Sequence, residues 1–177
     1  ELQARVVFAA TAEQDVRVVC HPADLGAGAA RQVSCAGFDH FYLHNVTGGV
    51  SGDGADYAAQ MEQVFDCAES FLESQGMTFR DVIRTWLYLS DMERDYDDLN
   101  RVRSRFFDRV GVHDVPASTG IQGGVYPGDR SGSMDLYAMR ASSAFDKRQM
   151  HAKTLNEAWS YGSAFCRGME VTREDRT

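Results

Sequence analysis

Apolar and polar positions alternate most regularly between Asp81 and Leu89, which read DVIRTWLYL. Ile83, Thr85, Leu87 and Leu89 fall on one side of an extended chain, and Val82, Arg84, Trp86 and Tyr88 on the other. β-Branched and aromatic residues crowd the run and few polar groups interrupt either side, which predicts a central strand covered on both faces. Ser90 and Glu93 follow at capping-box spacing. Tyr96, Leu99, Val102, Phe106 and Val110 then recur at helical spacing. Acids (Glu93, Asp95, Asp97, Asp98) lead this helix and arginines (Arg101, Arg103, Arg105, Arg109) trail it, as the helix dipole favours, and Gly111 ends it.

A second helix is predicted over residues 55–75. Tyr57, Met61, Val64, Phe65, Ala68, Phe71 and Leu72 form one apolar stripe, and Gly76 followed by Met77 suits a left-handed C-cap with its apolar contact. Before it, the pattern predicts short strands at Arg5–Ala10 and Val16–Cys20, able to pair as a hairpin. A second hairpin is predicted from Arg31–Ala36 and His40–Val46. Thr47–Gly54 carries four glycines and reads as a connection. After Gly111, Val115-Pro116 forces extended backbone, Ala117–Gln122 reads as a strand, Gly123–Gly132 as a loop and Met134–Ala144 as a strand. Two long helices and several strands in this order predict an α+β domain with a mixed sheet and both helices on one face. Lys147–Ala158 is expected to be a linker helix, and Trp159–Val171 the beginning of a further strand pair.

Composition narrows the function classes. A 177-residue chain that is 44% hydrophobic can bury a core without cross-links. No apolar run approaches the ~20 residues of a membrane helix. A net charge of −8 argues against a nucleic-acid surface, which is built from Lys and Arg. Cys20, Cys35, Cys67 and Cys166 show no CxxC spacing and are expected to be free thiols in a cytoplasmic protein. His40 and His44 would lie ~13 Å apart along a strand, too far to share one metal, so neither metal nor cofactor is expected. Gly123, Gly124, Gly128 and Gly132 lack the strand–GxGxxG–helix context of a dinucleotide site.

Met77–Phe107, MTFRDVIRTWLYLSDMERDYDDLNRVRSRFF, resembles the middle of the Rid proteins, also called the YjgF or endoribonuclease L-PSP family. The shared features are Gly-x-x-x-x-Asp-Val, a strand, a Leu-Ser-Asp turn and an Asn-containing helix ending in Phe-Phe. Val115-Pro116-Ala117 is similar to the family's next strand and Met134–Ala141 to its last, so the resemblance covers about residues 31–142. It implies a chorismate-mutase-like fold, a trimer or pseudo-trimer, and a pocket between subunits for a small ligand, here a carboxylate metabolite. Family position puts Thr47, Asn100, Ser118, Gly120 and Tyr137 nearest that pocket. Many members hydrolyse enamines or imines with an Arg and a Glu. Those positions are Ser118 and Tyr137 here, which implies a binding domain without the usual catalytic pair, unless Arg84 or Arg140 supplies a cation. PASTGI and the tail are similar to the chorismatase branch of two fused Rid-like halves. On that alternative residues 1–144 are a first half, and 145–177 a linker and the start of a second, of an enzyme that removes pyruvate from chorismate. The RNA endonuclease suggested by the older family name lacks a basic groove here.

Overall fold

The computed structural model describes residues 16–22, 24–47, 56–141, 145–151, 154, 156 and 164–173. They form β1 (Arg17–His21), β2 (Ala29–Cys35), β3 (Phe38–Val46), α1 (Tyr57–Ser74), β4 (Val82–Leu89), α2 (Met92–Val110), β5 (Ala117–Gln122), β6 (Gly132–Ala141), β7 (Phe145–Met150) and β8 (Gly168–Arg173). Six strands make one mixed sheet in the order β1-β2-β3-β6-β4-β5, and β7 and β8 make a separate antiparallel pair. Only β4 and β5 run parallel within the large sheet; α2 is the crossover between them, as a parallel pair requires.

Both helices cover one face of that sheet. From α1, Met61, Val64, Phe65, Ala68 and Leu72 sink into the core with Phe41, Leu43, Leu87, Leu89, Met134 and Leu136 from the strands. From α2, Leu99, Val102, Phe106 and Phe107 join them. Phe65, Phe79 and Phe106 pack ring on ring at centroid distances of 4.6 to 6.1 Å. The α1 stripe ends as its sequence predicts: Gly76 adopts φ 68°, and the N–H groups of Gly76 and Met77 bond back to Glu73 and Leu72. Gly111 closes α2 at φ 65°.

Four expectations change. The N-cap of α2 is Asp91, whose side chain accepts from the Arg94 N–H; Ser90 instead donates its N–H to Ser131 across the sheet, so the helix starts one residue later. Phe145–Met150, inside or beside the expected linker helix, is a strand paired with β8, because Phe145, Lys147 and Gln149 alternate with exposed Asp146, Arg148 and Met150. Val82, placed on the Trp86 side by strict alternation, is fully buried in the core, because the β4–β6 register shifts between Val82 and Arg84. Finally, among the described residues the helices cover β4 on one face only: Thr85, Leu87 and Leu89 lie under them, while Arg84, Trp86 and Tyr88 are half-buried on the other side. The run Arg5–Ala10, expected to pair with β1, lies outside the described residues; β1 pairs with β2. So do residues 48–54 of the glycine-rich connection.

Candidate functional site

Beneath α2, the parallel β4–β5 pair sets a line of polar groups inside an otherwise apolar layer. Register places Ser118 opposite Thr85, both pointing toward the helix, and the Thr85 hydroxyl donates to Ser118 Oγ at 3.0 Å. Two residues on, Gly120 lies under Met92 and Tyr96 of α2, where an added Cβ would stand 3.5 Å from Met92 Cε. From above comes Arg103. It sits four residues after Leu99 on the inward stripe of α2, so the helix turns its side chain into the layer and leaves it 3% exposed. Its guanidinium donates to Asn100 Oδ1 at 2.8 Å and to Ser118 Oγ at 3.4 Å. Burial pulls its pKa down to about 10.

The C-terminal segment closes the outer side of this seam. Cys166 forms a parallel bridge with Ala117 on the edge of β5; its carbonyl accepts from the Ser118 N–H and its N–H donates to the Pro116 carbonyl. The neighbouring Phe165 ring lies 5.4 Å from the Arg103 guanidinium carbon, a cation–π contact. The β7–β8 pair is anchored below, where the Lys147 ammonium donates to the Arg80 and Val82 carbonyls and Gln149 donates to the Val115 carbonyl. Burial lowers the Lys147 pKa and raises the Cys166 thiol's.

Further along the sheet, at Gly132, stands Tyr57, the first residue of α1. Its ring packs against Gly132, where a Cβ would come within 2.8 Å of Tyr57 Cε2. The side chain is 5% exposed and its hydroxyl makes no hydrogen bond among the described residues. Burial first, and then the negative charge of Asp95, push its pKa well above that of an ordinary tyrosine, against the opposing pull of Arg103. Asp95 is itself held by the Arg94 fork through two bonds of 2.7 Å.

The opposite face of the sheet carries different chemistry. Tyr42 and Tyr137 stack at 5.0 Å, and His40 stacks on Tyr137 and bonds its hydroxyl through Nδ1 at 2.8 Å. Tyr42 also stacks on His44. Asn45, in a left-handed conformation at the β3 bulge, turns its N–H to Asp135 at 2.7 Å. Asp135 also faces His44 at 3.7 Å and accepts from the Tyr88 hydroxyl at 3.3 Å. Burial pushes the Asp135 carboxyl up, but the bonds from His44, Asn45 and Tyr88 outweigh it and hold the pKa below the ordinary value. Burial and the neighbouring Asp135 together raise Tyr88 to about 12.

The residues singled out from sequence therefore divide among three places. Asn100, Ser118 and Gly120 line the helix-side seam. Tyr137 lies on the opposite face. Thr47 is buried at the far end of β3, where its hydroxyl accepts from the Ala27 N–H and its own N–H donates to the Leu25 carbonyl. Neither arginine considered as a substitute cation reaches Ser118. Arg84 bonds Thr119 and lies over Trp86 on the open face, and Arg140 bonds Asp39 and the Gln75 carbonyl at the sheet's edge. Arg103 does reach it. Its signal in the sequence was a charged residue standing on the apolar stripe between Leu99 and Phe106. His40 and His44 extend from one strand to separate partners, and all four cysteines are free thiols.

Residues 32–128 match the sequence profile of the family described as Endoribonuclease L-PSP. A RutC family protein from the leuC 5' region of Leuconostoc mesenteroides subsp. cremoris is 25% identical over 87 residues, 49% of this chain and 66% of that protein. Among solved structures, the YjgF gene product of E. coli is similar with a TM-score of 0.50 at 21% identity, over 62% of this chain and 85% of that one. E. coli TdcF, solved with bound serine, has a TM-score of 0.50 at 18% identity, over 62% and 86%. A Salmonella typhimurium protein described as a translation initiation inhibitor reaches 0.52 at 17% identity, over 70% and 98%. At these identities the solved structures speak for the fold alone.

Proposed function

The chain belongs to the Endoribonuclease L-PSP family, and from that premise we propose that it binds a small carboxylate metabolite in the seam between α2 and β5, with Arg103 as the cation. The observation that carries the reading is the Arg103 guanidinium, buried against Asn100 and Ser118. A guanidinium offers a carboxylate two parallel donors, which no hydroxyl at Ser118 could supply. The strand position that would carry the family's arginine is then served from the helix above it. Serine bound to the E. coli TdcF neighbour is a ligand of the same chemical class.

The same reading covers the open sheet face with further copies of the chain. Trp86, Tyr88, Tyr42 and Tyr137, half-buried among the described residues, form an aromatic surface that three sheets closing on one another would hide. The assembly proposed is a homotrimer, with the carboxylate seam bordering a neighbouring subunit.

Calorimetric titration with pyruvate and serine tests the carboxylate site. Saturable binding is expected in the wild type and a loss of about tenfold or more in Arg103→Met, the scale of one lost charge-assisted bond. Binding unchanged by that substitution removes Arg103 from the site. Hydrolysis of 2-aminoacrylate separates a binding protein from an enzyme: turnover at the wild-type rate in Arg103→Met would disconnect any such activity from this seam.

A further inference from the structure

The Arg103 guanidinium is held by two distant parts of the chain. From α2 and β5 it meets oxygen acceptors, Asn100 Oδ1 at 2.8 Å and Ser118 Oγ at 3.4 Å. From the C-terminal segment it meets a ring: its carbon lies over Phe165, 5.4 Å from the centroid. A ring face attracts a cation without offering an oxygen that a carboxylate would have to displace. The placement of Phe165 is built and not incidental. Its neighbour Cys166 is buried, accepts from the Ser118 N–H at 3.1 Å and donates to the Pro116 carbonyl at 3.3 Å. Ala164, on the other side, packs against the core. The β7–β8 pair is tied down through Lys147 and Gln149. Phe165 is therefore fixed to the same strand that carries Ser118. Residues 164–166 also lie beyond the 32–128 that match the family, so this contact comes from outside the shared part of the chain.

We propose that Phe165 is a positioning residue of the carboxylate site, holding the Arg103 guanidinium in place so that a ligand carboxylate replaces its long contact to Ser118. The assignment rests on the carboxylate reading above and deepens it: the C-terminal segment is part of the site as well as a brace for the edge of β5. A free arginine side chain loses much rotamer freedom when it grips a ligand, and contacts that fix it beforehand remove that cost from binding. Phe165 acts through Arg103 and needs no contact with the ligand. Because the attraction comes from the electron-rich ring face, the site requires an aromatic ring and not merely an apolar side chain of similar volume.

The test titrates pyruvate into the full chain as wild type, as Phe165→Leu, as Arg103→Met, and with pentafluorophenylalanine incorporated at Phe165. The fluorinated ring keeps the aromatic shape but loses the negative face, so it separates attraction from packing. Both changes at Phe165 should weaken pyruvate by about five- to tenfold, the scale of one shielded cation–π contact. Exchange protection of the Ser118 amide, read by NMR, should match the wild type in the fluorinated protein, since Cys166 still accepts from it. A phenylalanine that only fills space would let the fluorinated ring bind pyruvate normally. The assignment is overturned if the fluorinated protein binds pyruvate as tightly as the wild type while Arg103→Met has lost it. If pyruvate fails to bind the wild type, the carboxylate reading itself falls, and the role of Phe165 with it.

Discussion

The two faces of the six-stranded sheet are made from the same strands yet obey different rules. Under the helices, Leu43, Leu87, Leu89, Met134 and Leu136 are at most 1% exposed, and the charged residues buried there among those described, Asp95 and Arg103, each make hydrogen bonds. On the other side, one residue along each strand, stand His40, Tyr42, Arg84, Trp86, Tyr88, Asp135 and Tyr137. All are half-buried, and each is joined to a neighbour by a ring contact or a polar bond. The first face is completed by this chain's own helices. The second is pre-ordered and is not covered by any helix among the described residues, as a surface should be if it must meet a partner without first reorganising. On the homotrimer proposed above, folding and assembly are written on alternate residues.

Exchanging charge between the faces separates them most sharply. Leu87→Asp buries a carboxylate without a partner and should cost about 4–5 kcal/mol or more, unfolding the subunit in a denaturant titration. Trp86→Asp, one residue away, should keep the native circular dichroism and run as a monomer in light scattering. Measured beside the wild type, a Trp86→Asp protein of unchanged mass would remove the open face from the proposed trimer.

A smaller effect comes from acid. The folded-state pKa of Asp135 lies below its unfolded value, so its contribution is fully present above about pH 4 and is lost as pH falls through the folded value. Asp135→Asn should be less stable than wild type at neutral pH and show a flatter acid limb below about pH 4, read by thermal unfolding across pH. The Asn45 N–H and the Tyr88 hydroxyl lose their charged acceptor in that variant.

Smallest of all is the outer surface of the helix layer. Arg109 reaches Asp66 at 2.5 Å and Glu69 at 3.1 Å, and Arg105 reaches Glu62, but most of these side chains are about half-exposed. Arg109→Ala should lower stability by less than about 1 kcal/mol, and by still less in 0.5 M salt.

Much of this architecture is legible in the sequence wherever periodicity and a stop signal agree. The α1 stripe with Gly76-Met77, and the alternation of β4 from Arg84 to Leu89, placed their side chains on the correct faces; Val82 and Ile83 depart from it. There an extra residue in β4 itself, Ile83 between Val82 and Arg84, shifts the pairing with β6 and moves Val82 into the core. The tail was misread because its alternation is polar: Phe145, Lys147 and Gln149 face inward only because β8, some twenty residues later, supplies a partner. The seam was half legible. Ser118, Gly120 and Asn100 came from family position, whereas Arg103 looked like one more basic residue at a helix C-terminus. What distinguishes it from Arg101 and Arg105 is its angle on the helix, which puts it beside Leu99 and Phe106. Tyr57 read as plain core, since an aromatic on an apolar stripe carries no sign of where its hydroxyl will end.

The strand order has a consequence for how the chain is made. β6 lies between β3 and β4, although some ninety residues separate it from its β3 partners. Until residues 132–141 are made, the segments that become β3 and β4 lack the strand that joins them in the finished sheet. Local pieces such as α1 and α2 close early, because their contacts span few residues. The interior of the sheet closes last, by insertion rather than by addition at a rim, and until then two aggregation-prone edges await the same late strand.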